Sequence, residues 1–418
     1  MRIAIIVDAF PVLSETFVTN QVCWFLSKGF KVELFARFRL EQDVLHPDIA
    51  KHHLMGITHF WDYCPEEKER FSPPAWAALK NIFRSPVEIL KLLHKYRQHI
   101  ISLKQLNFLI PLLSKKFDII HCHFGPNGML GIYAKEMGVR APVITSFNGY
   151  DCSLTIVTGG RDFYRDLFRQ GDLFMPVSDY FRRRLVELGC DEKKIVVHHS
   201  GIDLGKFMFL ERKIRDGEMV KILTVGRLVE KKGHEYMIKA LARLVARRQN
   251  ILYVIAGVGP LRAGLESLSR KLGIEKHVRF MGAVNQDELL LLYRSAHVFA
   301  LPSITADNGD QEGIPATLME AQASGLPVLA TWHSGIPELV VDGKSGFLVP
   351  ERDVGALEDK LNYLIEHPEL WPSMGRFGRC IVEEGYNLDT LNWRLVEIYQ
   401  NLLRGNNRYA TPQRETHS

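Results

Sequence analysis

The chain has 418 residues, of which 46% are hydrophobic and 24% charged, and its formal net charge is +5 at pH 7. These proportions exclude a disordered chain, a collagen and a coiled coil, and the length favours two domains. So small a net charge does not indicate nucleic acid as a partner.

The sequence begins with a predicted buried strand and not with a targeting signal. Its first apolar run is too short for the core of a signal peptide, and no run of about 18 apolar residues is present that would span a membrane. The six cysteines stand singly, without the spacing of a zinc site, and we expect free thiols in a reducing compartment. We therefore expect the protein to be cytoplasmic.

The next segment with an unusual composition is basic. Residues 79–116 contain eight Lys or Arg and one Glu, interleaved with apolar side chains. This pattern is typical of a basic amphipathic helix that lies on an anionic membrane surface, and equally of an ordinary helix with a solvated basic face. The first interpretation predicts peripheral attachment to the inner face of the cytoplasmic membrane.

Strand-length apolar runs alternate with helical stretches along the whole chain, which predicts an α/β protein with parallel sheets covered by helices on both faces. The pattern starts afresh after a charged stretch at residues 207–219, so we predict two doubly wound, Rossmann-like domains across a cleft: 1–206, and 207–384. A helix at about 385–403 is expected to pack back on the first domain, and 404–418 to form a flexible tail. The predicted strands are 3–7, 32–36, 118–121, 143–147, 173–176, 195–197, 221–225, 251–256, 278–281, 298–301 and 328–330.

Two loops that follow predicted strands of the first domain carry polar side chains. His121 and His123 alternate at the end of one strand, and we interpret them as lying on opposite faces, with no third or fourth ligand for a zinc site. Asn148, Gly149 and Asp151 follow the next strand. Ligands of doubly wound sheets bind beyond the carboxyl ends of the strands, so both loops are candidate sites.

The first loop of the second domain places two cations five residues apart, Arg227 and Lys232, between glycines. Its sequence is Gly226-Arg227-Leu228-Val229-Glu230-Lys231-Lys232-Gly233. An arginine fork and a lysine ammonium suit the two phosphates of a diphosphate, although a solvated basic turn would have the same composition. After the next strand, Gly257 and Gly259 do not form a dinucleotide fingerprint, because the third glycine of that motif is absent.

An acidic loop at 307–313 then leads into a predicted helix. The backbone amides near Gly313 and Ile314 would form an anion site at its start. Glu312 and Glu320 are eight residues apart, or about 12 Å along a helix, which roughly matches the span from a sugar across a diphosphate to a ribose. Glu320 lies among apolar residues, where an unpaired carboxylate would be costly.

The sequence from Glu312 to Glu320, with Ser334-Gly335-Ile336-Pro337-Glu338 after it, resembles the E-x7-E region of retaining glycosyltransferases of family 4, which have the GT-B fold. The loop at 226–233 is similar to the diphosphate loop of that family. The resemblance implies that Arg227 and Lys232 neutralise the departing diphosphate and that Glu312 contacts the transferred sugar. It also implies that Glu320 holds the nucleotide ribose and that Gly226, Gly257, Gly259, Gly313 and Ile314 line the donor site.

The resemblance extends to the first domain. It implies that His123 lies beside the transferred sugar, whereas His121 is structural. Asn148 stands where the family's T-x-H-G-x-D stretch more often has histidine, so a role in proton transfer is not expected there; Gly149 and Asp151 match the pattern. Ser14 and Glu15 belong to a Ser-Glu-Thr-Phe sequence similar to that of the colanic acid and amylovoran exopolysaccharide transferases, and are candidates for contacts with acceptor or sugar. Ser14 is equally suited to capping a helix.

These resemblances predict transfer of a sugar from a nucleotide diphosphate sugar to a hydroxyl of an oligosaccharide or a polyprenyl-diphosphate-linked acceptor, without a metal or another cofactor. Two alternatives remain open from the sequence: a GT-B protein that binds nucleotide sugars without transferring them, and a nucleotide-sugar 2-epimerase. A phosphorylase would need a pyridoxal-binding lysine, and the sequence does not single one out.

Overall fold

The computed structural model describes residues 1–12, 15–40, 46–60, 112 and 115–405. Within them the chain forms two parallel sheets of six strands, each covered by helices. The basic segment at 79–116 falls almost wholly outside the described residues, so its predicted amphipathic helix stays a prediction. No helix in the described part of the chain is both long enough and apolar enough to cross a membrane.

The strands of the first sheet are β1 (Arg2–Phe10), β2 (Lys31–Arg39), β3 (Thr58–Phe60), β4 (Ile119–His123), β5 (Val143–Phe147) and β6 (Leu173–Pro176). Their order is β3-β2-β1-β4-β5-β6, in which β1 and β4 are central. Every residue of β4 and β5 is buried, because helices cover both faces of a parallel sheet. The helices that the described residues of this half form are α1 (Thr16–Ser27), α2 (Pro47–Lys51), α3 (Gly125–Glu136), α4 (Leu154–Gly159), α5 (Arg165–Gln170) and α6 (Asp179–Glu187).

The second sheet consists of β7 (Val220–Val225), β8 (Ile251–Ala256), β9 (Val278–Gly282), β10 (Val298–Leu301), β11 (Val328–Thr331) and β12 (Gly346–Val349). Its strand order is β12-β11-β10-β7-β8-β9. Its helices are α7 (His234–Val245), α8 (Arg262–Lys271), α9 (Gln286–Ser295), α10 (Ala316–Ala323), α11 (Val354–Glu366) and α12 (Trp371–Gly385). In both sheets the order reverses beside the first strand, which places ligand sites at the carboxyl ends of β1 and β4 and of β7 and β10.

The predicted α/β class with two doubly wound sheets is confirmed, and most predicted strands agree with the structure to within a few residues. The strand predicted at 195–197 is wrong, because this apolar stretch makes only an isolated bridge from Ile195 to Phe174. The edge strands β3 and β12 were not predicted. Both are short. An edge strand pairs with a neighbour on one side only, so its sequence does not need a long apolar run.

The last helix, α13 (Leu388–Leu403), follows the second half in sequence but packs on the first. It contributes Leu395 and Tyr399 to the core that includes β1 and α1. The two segments that connect the halves lie side by side: Ile202 donates its amide to the Tyr386 carbonyl and accepts from the Leu388 amide, at 2.9 and 3.0 Å. The chain therefore crosses between the two halves twice at one place.

Candidate active site

The loop after β7 brings a lysine against a glycine. Lys232 ends a short 3-10 turn, and its aliphatic stem passes over Gly226, where an added Cβ would be 3.4 Å from the lysine Cε. The Lys232 side chain is thereby directed inward, whereas Arg227 is exposed. The loop thus offers two buried cations, Lys231 and Lys232, and one accessible cation, Arg227.

Both buried cations lie close to the first glutamate of the predicted pair. Lys232 Nζ lies 3.1 Å from Glu312 Oε2, while Lys231 Nζ lies 3.9 Å from Glu312 Oε1 and 3.1 Å from Asp310. The Glu312 residue is buried, and its Oε1 has no hydrogen-bond partner among the described residues. The pair therefore has one carboxylate oxygen available to a hydroxyl donor.

Burial alone would raise the pKa of Glu312, but the ammonium groups of Lys232 and Lys231 outweigh it and lower the pKa to about 2. Burial lowers the pKa of Lys232, and the Glu312 carboxylate opposes that shift only partly. At neutral pH the site therefore contains an ionised glutamate held between cations.

Glu312 is fixed from behind by the loop after β11. Its backbone amide donates to His333 Nε2 at 3.1 Å, and the Ser334 hydroxyl donates to its carbonyl at 2.6 Å. Because Nε2 accepts, the neutral imidazole carries its proton on Nδ1 and donates it to Glu351 at 2.6 Å. Sequence reasoning missed His333. Its position, two residues after a buried strand, was the available signal.

The second glutamate lies on α10, which begins at Ala316. The prediction that Glu312 stands at the helix mouth, 12 Å from Glu320 along one helix, is wrong. Pro315 has extended backbone geometry, so the residues between Glu312 and the helix form a loop. Glu320 is buried and accepts a hydrogen bond from Tyr293 at 2.8 Å, and burial raises its pKa to about 7. The raised pKa of Glu320 reflects the free-energy cost of an ionised carboxylate at this apolar position, as the sequence predicted.

Gly257 and Gly259 are required by backbone packing. A Cβ on Gly257 would lie 2.0 Å from the Gly226 carbonyl oxygen, and one on Gly259 would lie 2.5 Å from the Leu228 carbonyl oxygen. The two glycines thus allow the turn after β8 to pack directly against the loop at 226–233. Their contact with a nucleotide stays a prediction.

In the first half, His121 and His123 stack with their ring centroids 4.6 Å apart and their planes inclined by 27°. The prediction of opposite faces is wrong, since residues two apart in a strand share a face. His121 is fully enclosed and bonds to Tyr399 and Ser146, as a structural histidine would. His123 bonds through Nε2 to Gln21 at 2.9 Å, and burial lowers its pKa to about 3.

Asp151 organises the turn after β5. It is fully buried and accepts hydrogen bonds from the backbone amides of Gly125, Asn148 and Gly149 at 2.8 to 3.2 Å. Burial nevertheless raises its pKa to about 6. In the structure Asp151 therefore joins the start of α3 to the turn that carries Asn148, and a direct contact with substrate stays a prediction.

This turn meets the acidic loop of the second half. A Cβ on Gly149 would lie 3.1 Å from both the Gln311 oxygen and the Gly313 nitrogen, and one on Gly313 would lie 2.2 Å from the Asn148 oxygen. The candidate residues of the two halves, from Asn148 to Gly149 and from Gln311 to Gly313, are thus in direct contact.

Comparison with known proteins identifies this arrangement. The sequence model of "Glycosyltransferase Family 4" matches residues 14–206, and that of "Glycosyl transferases group 1" matches residues 210–379. The chain belongs to glycosyltransferase family 4. The colanic acid biosynthesis glycosyltransferase WcaL of Escherichia coli (strain K12) is 35% identical over 412 residues, covering 96% of this chain and 100% of the relative. The amylovoran biosynthesis glycosyltransferase AmsK of Erwinia amylovora is 34% identical over 411 residues, covering 96% and 100%.

The fold of this family 4 glycosyltransferase also matches solved structures. The Anabaena protein Alr3699/HepE in complex with UDP and glucose superposes with a TM-score of 0.73, at 17% identity, covering 96% of this chain and 100% of that one. The GT-B fold and the prediction of a transferase are confirmed.

Two further candidates of this glycosyltransferase, Ser14 and Glu15, follow β1 in the sequence. Ser14 is outside the described residues. Glu15 occupies the N-cap position of α1, and burial, with help from Asp8, raises its pKa to about 7, while Arg227 of the second half opposes the shift. The positive charge of Arg227, in the second half, therefore acts on the pKa of Glu15, in the first half. Among the described residues, no group of three or more His, Cys, Asp and Glu side chains is arranged to hold a metal ion.

Proposed function

We propose that this glycosyltransferase moves a sugar from a nucleotide diphosphate sugar to a hydroxyl of a growing exopolysaccharide or lipopolysaccharide oligosaccharide, with retention at the anomeric carbon. The observation that carries the proposal is the buried pair of Lys232 and Glu312 beside Gly313, at the contact between the two halves. It combines a cation for phosphate with a carboxylate oxygen, Glu312 Oε1, that makes no hydrogen bond to the described residues and would accept one from a sugar hydroxyl.

In the proposed reaction the bond between the anomeric carbon and the β-phosphate oxygen breaks, and a bond to the acceptor oxygen forms on the same face. The acceptor proton passes to the departing phosphate. Arg227, Lys232 and the amides near Gly313 and Ile314 stabilise the charge that develops on that phosphate. These groups supply the positive charge from the protein itself, which supports a reaction without a divalent cation.

The sugar is proposed to lie between Glu312 and His123. Glu312 Oε1 is buried without a hydrogen-bond partner, so binding a hydroxyl donor there satisfies a group that is otherwise costly. Glu320 is assigned to the nucleotide ribose, whose hydroxyls would donate to it. The Anabaena structure with UDP and glucose, on the same fold, supports a UDP-sugar as the donor.

The acceptor is proposed from the two relatives, whose names refer to biosynthesis of colanic acid and of amylovoran. A polyprenyl-diphosphate-linked oligosaccharide at the inner face of the cytoplasmic membrane would suit a peripheral enzyme that attaches through residues 79–116. Sedimentation with vesicles of phosphatidylserine and phosphatidylcholine at low salt tests this part. A protein that stays in the supernatant would exclude attachment.

The donor reaction is tested by release of nucleoside diphosphate from a panel of UDP- and GDP-hexoses, with and without EDTA. We expect one donor to be turned over, with a rate unchanged by EDTA. Failure to turn over any donor in the presence of a lipid-linked oligosaccharide would overturn the proposal, and a rate abolished by EDTA would overturn its metal-free form.

A further inference from the structure

A small cavity lies where α13 meets the carboxyl ends of β4 and β5. Its lining includes His123 and Asn148 from the first half and Asn392 from α13, together with Ser200 and Gly201 of the first crossover between the halves. The volume open to a water-sized molecule is about 20 Å³. That is room for one water molecule or one protruding hydroxyl or hydroxymethyl group.

Three buried polar atoms of this lining have no hydrogen-bond partner among the described residues: His123 Nδ1, Asn148 Nδ2 and Asn392 Nδ2. The side chains of His123 and Asn392 are only 3% and 2% exposed. Such unpaired groups cost free energy unless a ligand or water satisfies them. The cavity therefore has unfilled hydrogen-bonding capacity from both the first half and the last helix.

The chemistry of the three atoms selects among ligands. His123 donates from Nε2 to Gln21 and remains neutral, so Nδ1 is an acceptor, whereas both asparagine nitrogens are donors. The described residues that line the cavity include no Asp, Glu, Lys or Arg. An anion would be repelled by the lone pair of Nδ1, and a cation would find no counter-charge. A neutral hydroxyl, which both donates and accepts, satisfies the set.

We propose that Asn392, acting with His123 and Asn148, forms a subsite for one hydroxyl or hydroxymethyl group of a sugar, so that the last helix takes part in sugar recognition. This inference rests on the proposed function. The hydroxyl belongs either to the donor sugar or to the acceptor sugar, and the chemistry of the cavity is the same for both.

The test compares wild type with Asn392→Leu, which keeps the side-chain size but removes the amide. Calorimetry measures binding of UDP, of UDP-glucose, UDP-galactose and GDP-mannose, and of methyl hexosides as acceptor probes in the presence of UDP. For the sugar that binds best, we expect Asn392→Leu to weaken binding about 5- to 20-fold, the loss of one or two hydrogen bonds, and to leave UDP binding unchanged. Loss on the nucleotide sugar assigns the hydroxyl to the donor, and loss on the hexoside assigns it to the acceptor.

Deoxy analogues of the same sugar provide the decisive comparison. We expect the wild type to discriminate against one deoxy position and Asn392→Leu to lose that discrimination. Gln400→Leu, on the exposed side of the same helix, is the matched control and should behave as wild type. Equal discrimination in wild type and Asn392→Leu, or a variant that changes only the melting temperature, would overturn the inference and leave an ordinary water site. Because binding is measured without turnover, a protein that binds sugars but transfers none would contradict the proposed function alone.

Discussion

At the scale of single residues, the pair of Lys232 and Glu312 separates recognition of phosphate from recognition of sugar. We predict that Glu312→Gln lowers transfer about 100- to 1000-fold, because a contact made at the reacting sugar is lost, with less than about a 3-fold change in the affinity for UDP. Steady-state rates and calorimetry with UDP measure the two quantities. An equal loss of UDP affinity would show that Glu312 serves the nucleotide instead.

Lys232→Met should have a different profile. It removes the cation closest to Glu312, so we predict a loss of about 3 kcal/mol in the free energy of unfolding and at least about a 10-fold loss of UDP affinity. The control is Lys239→Met, which breaks an exposed ion pair with Glu235 and should cost less than about 1 kcal/mol. Similar unfolding free energies for the two variants in urea would contradict a buried pair.

Glu320 makes a prediction about pH. Its pKa is raised from 4.5 to about 7 in the folded protein, so folding is favoured by its protonation. This stability is fully present below pH 4.5 and is lost as the pH rises through about 7, because the unfolded chain then releases the proton more readily. Glu320→Gln mimics the protonated form. We predict that it stabilises the protein, and by about 2 kcal/mol more at pH 8.5 than at pH 5.5, while it weakens UDP binding.

Urea unfolding of wild type and Glu320→Gln at the two pH values measures this difference. A gain that is the same at both pH values would show that the carboxyl is not held in its protonated form by burial. A variant with unchanged UDP affinity would separate Glu320 from the nucleotide site.

At the scale of elements, the turn after β5 and the acidic loop before α10 fit together only because glycines occupy the contact. Gly149 has φ +153°, and an added Cβ would press on Gln311 and Gly313. We predict that Gly149→Ala lowers kcat at least about 10-fold and leaves UDP binding unchanged, since the nucleotide residues lie on the second half. Gly189→Ala is the control. It has φ +93° but open space around it, so it should lose about 1 kcal/mol of stability and no activity.

The start of α6 is capped from both halves. Ser178 accepts from the Phe181 amide within the first half, while Glu338 of the second half accepts from the amides of Asp179 and Tyr180, both at 2.9 Å. These amides would otherwise lack partners at the helix start. We predict that Glu338→Ala speeds hydrogen exchange at the start of α6 and increases the radius of gyration measured by X-ray scattering. Ser178→Ala should speed the exchange without changing the radius.

At the scale of the whole molecule, sequence periodicity was sufficient for the two parallel sheets, because buried parallel strands are long apolar runs. Periodicity did not predict the short edge strands β3 and β12, and it wrongly predicted a strand at 195–197. Strand pairing at a sheet edge depends on tertiary contacts, which periodicity does not contain. The donor-site motifs were visible as residue types after strands. Their arrangement was not: His333 behind Glu312, the loop that separates Glu312 from α10, and Asn392 beside His123 all depend on residues distant in sequence.

We propose that the contact between the two halves is a retaining transfer site for nucleotide sugars. This is tested by the product that the wild type forms from the preferred UDP- or GDP-hexose and a lipid-linked oligosaccharide, with Glu312→Gln assayed in parallel. We predict a product heavier by one hexose, with the same anomeric configuration as the donor by NMR, and almost none from the variant. An inverted linkage, or a nucleotide sugar recovered with its sugar epimerised and no heavier product, would contradict it.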